Sequence, residues 1–403
     1  MTQAPQKLLE SIPTVFDTGP AWLRSIRTRA ADTLRDLGLP TKKTEAWRFT
    51  PVRSFVERSF VLEPSSAPRL LSEVPEGVTV RSLREVLDKE PHLLEGRLGQ
   101  YDAEHFAALN TALFEDGLWV HIHANAVIET PLELQHQFPS GEGPRVDYPR
   151  LLVTADRGSQ ATLIESYRGG VPDAMTNSLV EIDIGTNAIV DHVRVHENRG
   201  LQVGKVDVRQ DADSRYRSVV VTLGGALLRC DVRARLQGRG AECQLDGAYL
   251  VDGADHVDHH TLVEHEAPHC RSAQTYRGIA NDRGTAVFDG IVVVHRDAQK
   301  TEAHQENRNL LLSEAATVHT KPHLEIDADD VVCSHGATVG ALDSDQMFYL
   351  RARGVPEELA RAMLIYAFIE EIVDEVRHSS TRDRLREAVL ARIPQGESLR
   401  GVT

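Results

Sequence analysis

The stretch GTNAIVDHVRVHENRGLQVGKVDVRQDAD, residues 185–213, decides the fold class of this chain. It begins with a Gly-Thr-Asn turn, continues through runs rich in Val and Ile, and ends on the turn Asp211-Ala-Asp213. Similar turns lie at Asp156-Arg-Gly158 and Gly238-Arg-Gly240. The turn midpoints therefore recur at intervals of roughly 27 residues. A fixed interval of this size, filled with strands and free of helical periodicity, predicts a β-helix.

Short runs of Val, Ile, Leu and Thr extend this pattern in both directions. A β-sandwich also has regular turns, but they recur about every 8–12 residues, one strand at a time. Two or three strands in each interval would satisfy either architecture, so the spacing favours a β-helix without excluding a sandwich. The predicted strands are 118–123, 151–154, 161–165, 179–184, 189–196, 216–222, 227–236, 243–250 and 285–294.

Helical periodicity returns on both sides of the β-rich part. Pro20 suits the first turn of a helix, and Pro356, followed by Glu357 and Glu358, suits the first turn of another. The predicted helices are 18–38, 82–94 and 103–114 on the N-terminal side, and 345–353, a helix opening at 356, and 381–393 on the C-terminal side.

These patterns divide the chain into three parts. We expect an N-terminal helical and mixed region at residues 1–117, a mainly β core at 118–340, and a C-terminal helical region at 341–403. The N-terminal region is expected to pack as a cap. The C-terminal helices would either cap the end of the solenoid or dock a second protein, and periodicity does not separate the two.

Composition excludes several classes of function. The 403 residues carry a net charge of −15, which argues against nucleic acid or an anionic membrane as a partner. Four cysteines without a Cys-x-x-Cys pair indicate a reduced, cytoplasmic protein, and no secretory signal or run of 18 apolar residues is visible. Phosphate-binding and nucleophile-elbow motifs are absent, so we expect neither nucleotide hydrolysis nor a serine nucleophile in this chain.

Cys333 and His335 are the first candidate site residues. They stand two apart near the end of the β-rich stretch, so in a strand they would share one face. Thiolate and imidazole are both ligands for iron and zinc, yet neither residue has a local partner to complete a four-ligand site. The pair predicts half of a metal site, with the rest supplied by a partner. The alternative is a small buried thiol beside a surface histidine.

A second candidate is the group His256, Asp258 and His260. In a strand these side chains would also share one face, and two imidazoles with a carboxylate can hold a metal as a facial triad. A β-helical metalloenzyme using this triad is one hypothesis. The alternative is a solvated polar face of a strand.

Several longer stretches resemble the SufB/SufD family of iron–sulfur cluster assembly. The residues that carry the resemblance are KTEAWRFTP (43–51), RSAQTYRG (271–278), FDG (288–290), QKTEAHQENRNLLL (299–312), CSHGATVG (333–340) and DQMFYLRARG (345–354). The match with the SufD-type branch is better than with the SufB-type. A SufB-type chain resembles this one but carries a cysteine just before the apolar triplet at 310–312, and Glu-His-Glu in place of Ser334-His335-Gly336.

The resemblance implies a fold and a role. The fold would be a right-handed parallel β-helix flanked by helical regions. The chain would pair with SufB through the β-helix and bind the ATPase SufC through its C-terminal helices, or form a homodimer when isolated. A transient iron–sulfur cluster would be built at the SufB interface with His335 as a ligand. Cys333 would be a second ligand, a sulfur carrier or a packing residue, and a purely architectural subunit is the remaining alternative.

Overall fold

The computed structural model describes residues 7–63, 67–100, 104–139 and 142–400. Its α-helices are α1 (Ala21–Leu37), α2 (Arg53–Val56), α3 (Leu83–Lys89), α4 (His105–Leu113), α5 (Ser344–Ala352), α6 (Glu357–Val373) and α7 (Ser379–Leu390). Its strands are β1 (Val61–Leu62), β2 (Arg69–Leu70), β3 (Val78–Ser82), β4 (Leu118–Ile122), β5 (Leu132–Phe138), β6 (Arg145–Asp147), β7 (Arg150–Ala155), β8 (Gln160–Gly169), β9 (Met175–Ile184), β10 (Ile189–Asn198), β11 (Leu201–Gln210), β12 (Arg215–Leu223), β13 (Leu227–Leu236), β14 (Glu242–Val251), β15 (His256–His265), β16 (Arg271–Ala280), β17 (Thr285–Val294), β18 (Glu302–Leu311), β19 (Thr317–Ile326) and β20 (Val332–Gly340).

The strands form two sheets, and the chain crosses from one to the other at each turn. The first sheet has the order β3-β4-β7-β9-β11-β13-β15-β17-β19, with β6 beside β9 and β1 beside β6. The second sheet has the order β2-β5-β8-β10-β12-β14-β16-β18-β20. From β7 onward every pairing is parallel, whereas β2–β5 and β3–β4 are antiparallel. The prediction of a parallel β-helix is confirmed, and the solenoid has about 8 turns. The sandwich alternative is wrong because a sandwich pairs its strands antiparallel.

A column of residues with left-handed backbone conformation explains the recurrence of turns found in the sequence. In six consecutive coils, from β7 to β18, a residue in the turn from the first sheet into the second has positive φ: Gly158, Asn187, Asp213, Gly240, His269 and Lys300. Each N–H in this column donates to a carbonyl of the next coil, as Asn187 does to Ala212 and Asp213 to Arg239. Gly, Asn and Asp tolerate this conformation best, so they mark the coils in the sequence. His269 and Lys300 adopt it without that signature.

Three large apolar clusters build most of the core, and a fourth, smaller one includes Val292 and Ala303 near the last coil. One fills the lumen between the two sheets and includes Val190, Val206 and Leu245. A second lies between the outer face of the first sheet and the N-terminal helices, where Trp47 and Phe106 pack. The third lies between the outer face of the second sheet and α6 and α7. Both terminal regions therefore cover sheet faces, so the alternative that the C-terminal helices cap the end of the solenoid is wrong.

The predicted helices compare closely with the observed ones. The 18–38 helix is α1, the 345–353 helix is α5, and the helix opening at 356 is α6, which starts at Glu357 after Pro356. The predicted start of α4 at residue 103 falls outside the described residues, and the observed helix begins at His105. Among the described residues, no helix is long and apolar enough to cross a membrane.

Candidate functional site

The terminal coil of the β-helix carries both residues of the predicted half-site. Cys333 and His335 lie on β20, which pairs on one side with β18 and has no neighbour on the other side within the described chain. Cys333 is in register with Ala303, and His335 with Gln305, and both of these β18 residues are buried in the lumen. The alternation of a strand thus gives Cys333 and His335 the inward direction. The two residues share a face, as predicted, and no further coil covers them.

Exposure distinguishes the terminal coil from the coils before it. In β14 all residues but Glu242 and Gln244 are buried, whereas in β19 and β20 none is. Cys333 is half-buried against the apolar patch formed by Ala303, Ala328 and Leu324. His335 is exposed. The last coil therefore leaves a thiol, an imidazole and two unpaired strand edges open to a partner.

The chemical state of Cys333 follows from its partial burial. Desolvation raises the pKa of the thiol, and the hydrogen bond of the Ala303 backbone opposes that rise. Because the thiolate is the form that ligates metal and attacks sulfur, this shift disfavours the reactive form of Cys333. The other three cysteines, Cys230, Cys243 and Cys270, are buried and form no disulfide.

Sequence reasoning overlooked two residues at this edge. His304 lies on the outer face of β18, where its Nδ1 is 2.8 Å from the Ser334 hydroxyl. Gln305 lies beside it on the inward face, directly below His335. Both belong to the stretch that carries the family resemblance. The signal that identifies them is the parallel register of β18 and β20, which a single strand does not reveal.

The group His256, Asp258 and His260 shares the outer face of β15, as predicted, but its polar atoms are already engaged. Asp258 is fully buried and accepts hydrogen bonds from Arg229, at 3.0 Å, and from the Thr50 hydroxyl. His260 Nε2 lies 2.9 Å from the other Asp258 oxygen. Burial opposes ionisation of Asp258, but His260 and Arg229 hold its pKa well below the usual range.

This network holds the N-terminal signature segment against the first sheet. Arg229 lies 4.0 Å from the Trp47 ring centre and donates to the Ala46 carbonyl at 2.5 Å, and Thr50 contacts His256 Nε2 at 3.1 Å. Within the described residues, no group of three or more His, Cys, Asp or Glu side chains is arranged to hold a metal ion. The hypothesis of a metal triad at His256, Asp258 and His260 is therefore wrong. The alternative of a solvated face is wrong too, because His256 and Asp258 are buried. The residues bind a segment of their own chain.

Comparison with known proteins agrees with this architecture. Residues 138–368 match the family described as SUF system FeS cluster assembly, SufBD core domain, and residues 65–134 match the SufBD protein N-terminal region. The chain belongs to the SufBD family of iron–sulfur cluster assembly proteins.

Its relatives include members named SufD. The chain is 32% identical to iron–sulfur cluster assembly protein SufD of Escherichia coli, covering 89% of each chain. It is 26% identical to SufD of Bacillus subtilis, covering 91% of this chain and 93% of that one. A SufBD family protein of Synechocystis is 32% identical over 94% of this chain and 93% of its own. The resemblance inferred from the sequence is confirmed.

Proposed function

We propose that this chain is a SufD-type scaffold subunit of the SUF machinery that helps to hold a nascent iron–sulfur cluster at an interface with a SufB-type partner. One observation carries the proposal. His335 and Cys333 lie on the uncovered inward face of β20, and β19 and β20 both have an unpaired edge in the terminal coil. A half-site placed at an open edge is suited to completion by a second β-helix. In this proposal the chain is cytoplasmic, binds no nucleotide and catalyses no reaction itself.

The pairing surface is the terminal coil, with β20 as its centre. Open strand edges associate readily, and most soluble proteins shield them. Here β20 carries the exposed apolar residue Val339, at 43% exposure, and β19 carries the exposed residue Ile326. An edge of this kind supports pairing with a SufB-type chain and, in its absence, a two-fold pairing of this chain with itself.

We expect Val339→Asp to abolish association with the SufB-type partner, because a charge at a pairing edge blocks strand addition. The matched control is Val127→Asp, since Val127 is also exposed, at 61%, but lies beside β8, near the opposite end of the solenoid. Size-exclusion chromatography of the co-expressed subunits measures the effect. Full association of the Val339→Asp chain would contradict the proposed interface.

The SufC contact is proposed for α5, which refines the expectation from sequence. The apolar stripe of α6 is not free to dock a partner, because Ile365, Ile369 and Ile372 pack on the second sheet. In contrast, α5 buries none of its residues and exposes Phe348, at 74%, and Tyr349, at 55%. Neighbouring exposed aromatic side chains are typical of a protein–protein contact.

The double variant Phe348→Ser, Tyr349→Ser should lose SufC binding by at least about tenfold, since aromatic anchors often contribute 2 kcal/mol or more to an interface. The melting temperature should stay near that of the unmodified chain, because both rings are exposed. A pull-down with tagged SufC measures binding. The control Val15→Ser removes another exposed apolar residue, in the N-terminal region. Undiminished capture of the double variant would place the SufC contact elsewhere.

A further inference from the structure

The inward faces of the last three coils place three polar residues in one column. His335 on β20 is in register with Gln305 on β18, and Gln305 with Gln274 on β16. Neighbouring parallel strands lie about 4.8 Å apart, so consecutive members of the column are direct neighbours. The column ends at the open coil, with His335 outermost. Gln305 thus forms the floor beneath the proposed ligand.

The side chain of Gln305 is buried without a hydrogen bond. Gln305 is 3% exposed, and among the described residues neither its Nε2 nor its Oε1 has a partner. The amide lies across the lumen against Gly290, where a Cβ atom would come within 2.1 Å of Nε2. The absence of a side chain at Gly290 thus makes room for this amide. Buried polar groups are nearly always bonded, so a fully unpaired amide requires a reason.

The neighbouring buried amides each make at least one hydrogen bond, although Gln274 Nε2 is also unpaired. One coil deeper, Gln274 Oε1 accepts a hydrogen bond from the Thr261 hydroxyl at 2.6 Å. Further along the same strand, Asn307 donates to Tyr249, and Asn309 donates to Asn307 at 2.7 Å. The amides around Gln305 therefore have partners inside the lumen. Of the four side chains Gln274, Gln305, Asn307 and Asn309, only Gln305 has no partner for either polar atom.

His335 can supply the hydrogen-bond donor that Gln305 lacks. His335 is exposed, and among the described residues its ring nitrogens have no hydrogen-bond partner. When an imidazole ligates a metal through one nitrogen, the other N–H almost always donates to an acceptor, which fixes the tautomer and the orientation of the ring. The nearest inward position in the adjacent strand is Gln305, which carries an unused carbonyl oxygen.

We propose that Gln305 is a positioning residue for His335: its Oε1 accepts the second ring N–H and fixes the imidazole for ligation of iron. The proposal rests on the ligand role of His335 stated under Proposed function. It also accounts for Gly290, which leaves space for the amide of Gln305.

The test uses the complex of this chain with its SufB-type and SufC-type partners, loaded anaerobically with iron and sulfide. Gln305→Met keeps the length of the side chain but removes the acceptor, so iron retention against a chelator should fall about 10- to 100-fold. The melting temperature should stay equal or rise, because an unpaired buried amide is removed. Gln305→Glu restores an acceptor and should return retention to near the original value.

Gln274→Met is the matched control, one coil deeper in the same column. It breaks the bond from Thr261, so the melting temperature should fall while iron retention stays unchanged. Original iron retention in Gln305→Met, together with loss in His335→Ala, would overturn the positioning role and leave the ligand role intact. Equal loss in Gln305→Met and Gln305→Glu would also overturn it. Original retention in both Gln305→Met and His335→Ala would refute the proposed function itself.

Discussion

His335→Ala is expected to reduce iron–sulfur cluster yield by at least about tenfold in the reconstituted complex, because a ligand is removed from a site that the partner completes. Folding and association should be nearly unchanged. The ring is exposed and fills no core space, and substitutions at such positions usually alter stability by less than about 0.5 kcal/mol. Iron and acid-labile sulfide content, with the visible absorption spectrum after anaerobic loading, measure the yield.

The control for this variant is Cys333→Ala, two residues away on the same face. Cys333 is half-buried against Ala303, Ala328 and Leu324, so its thiol is less accessible than the exposed imidazole and its loss should be milder. A cluster yield from Cys333→Ala as low as that from His335→Ala would make the thiol a full ligand. An unchanged yield in His335→Ala would leave a purely architectural subunit as the function.

Asp258→Asn should destabilise the isolated chain by roughly 3 kcal/mol, a value typical of breaking a buried ion pair. Asp258 is fully buried, accepts hydrogen bonds from Arg229 and Thr50, and lies within ion-pair distance of His260. The estimate stays at the low end of the range, because Asp231 lies 3.0 Å from Arg229 and remains to balance its charge. Urea denaturation of the purified chain at neutral pH measures the change.

The effect of this substitution should depend on pH in a defined direction. The folded-state pKa of Asp258 is lowered, because His260 and Arg229 outweigh the effect of burial. A lowered carboxyl pKa contributes stability above the unfolded value of about 4 and loses it as the pH falls below that value. The difference between Asp258→Asn and the original chain should therefore be largest near pH 7 and shrink in acid.

Glu325→Gln is the control, because Glu325 also lies beside an imidazole, His323 at 3.1 Å, but is exposed on β19. It should change stability by less than about 0.5 kcal/mol. A chelator separates the structural role of Asp258 from the metal triad. If EDTA lowered the melting temperature of the original chain, but not that of Asp258→Asn, the carboxylate would be a metal ligand after all.

Much of the β-helix could be read from the sequence because its coils are marked locally. The left-handed position between the sheets selects Gly, Asn or Asp in four consecutive coils, at Gly158, Asn187, Asp213 and Gly240, and this column sets the period. Helices α1 and α6 could be predicted because their signals are also local. Pro20 and Pro356 mark their starts, and their apolar residues recur at helical spacing.

Five strands of ten residues are not among the predicted ones: β11, β15, β16, β18 and β19. Their alternation is obscured because polar residues lie on both faces. Inside the lumen, Tyr249 donates to Asn309 at 2.6 Å across two coils. Asn309 is therefore a polar residue at a buried position. On the outer face, Lys205 pairs with Glu104 at 2.5 Å, so a charged residue is covered by the N-terminal region. Each polar residue is acceptable only because a distant residue satisfies it.

The sequence by itself determined the solenoid class, the flanking helices, the family, and the shared face of Cys333 and His335, because each depends on residues close together in the chain. Only the tertiary structure decided what lies against these faces. It buried the apolar stripe of α6, engaged Asp258 with Thr50, and placed the unpaired amide of Gln305 beneath His335. These contacts join residues from different coils or regions of the chain, and a strand's alternation states which way a side chain points but not what it meets there.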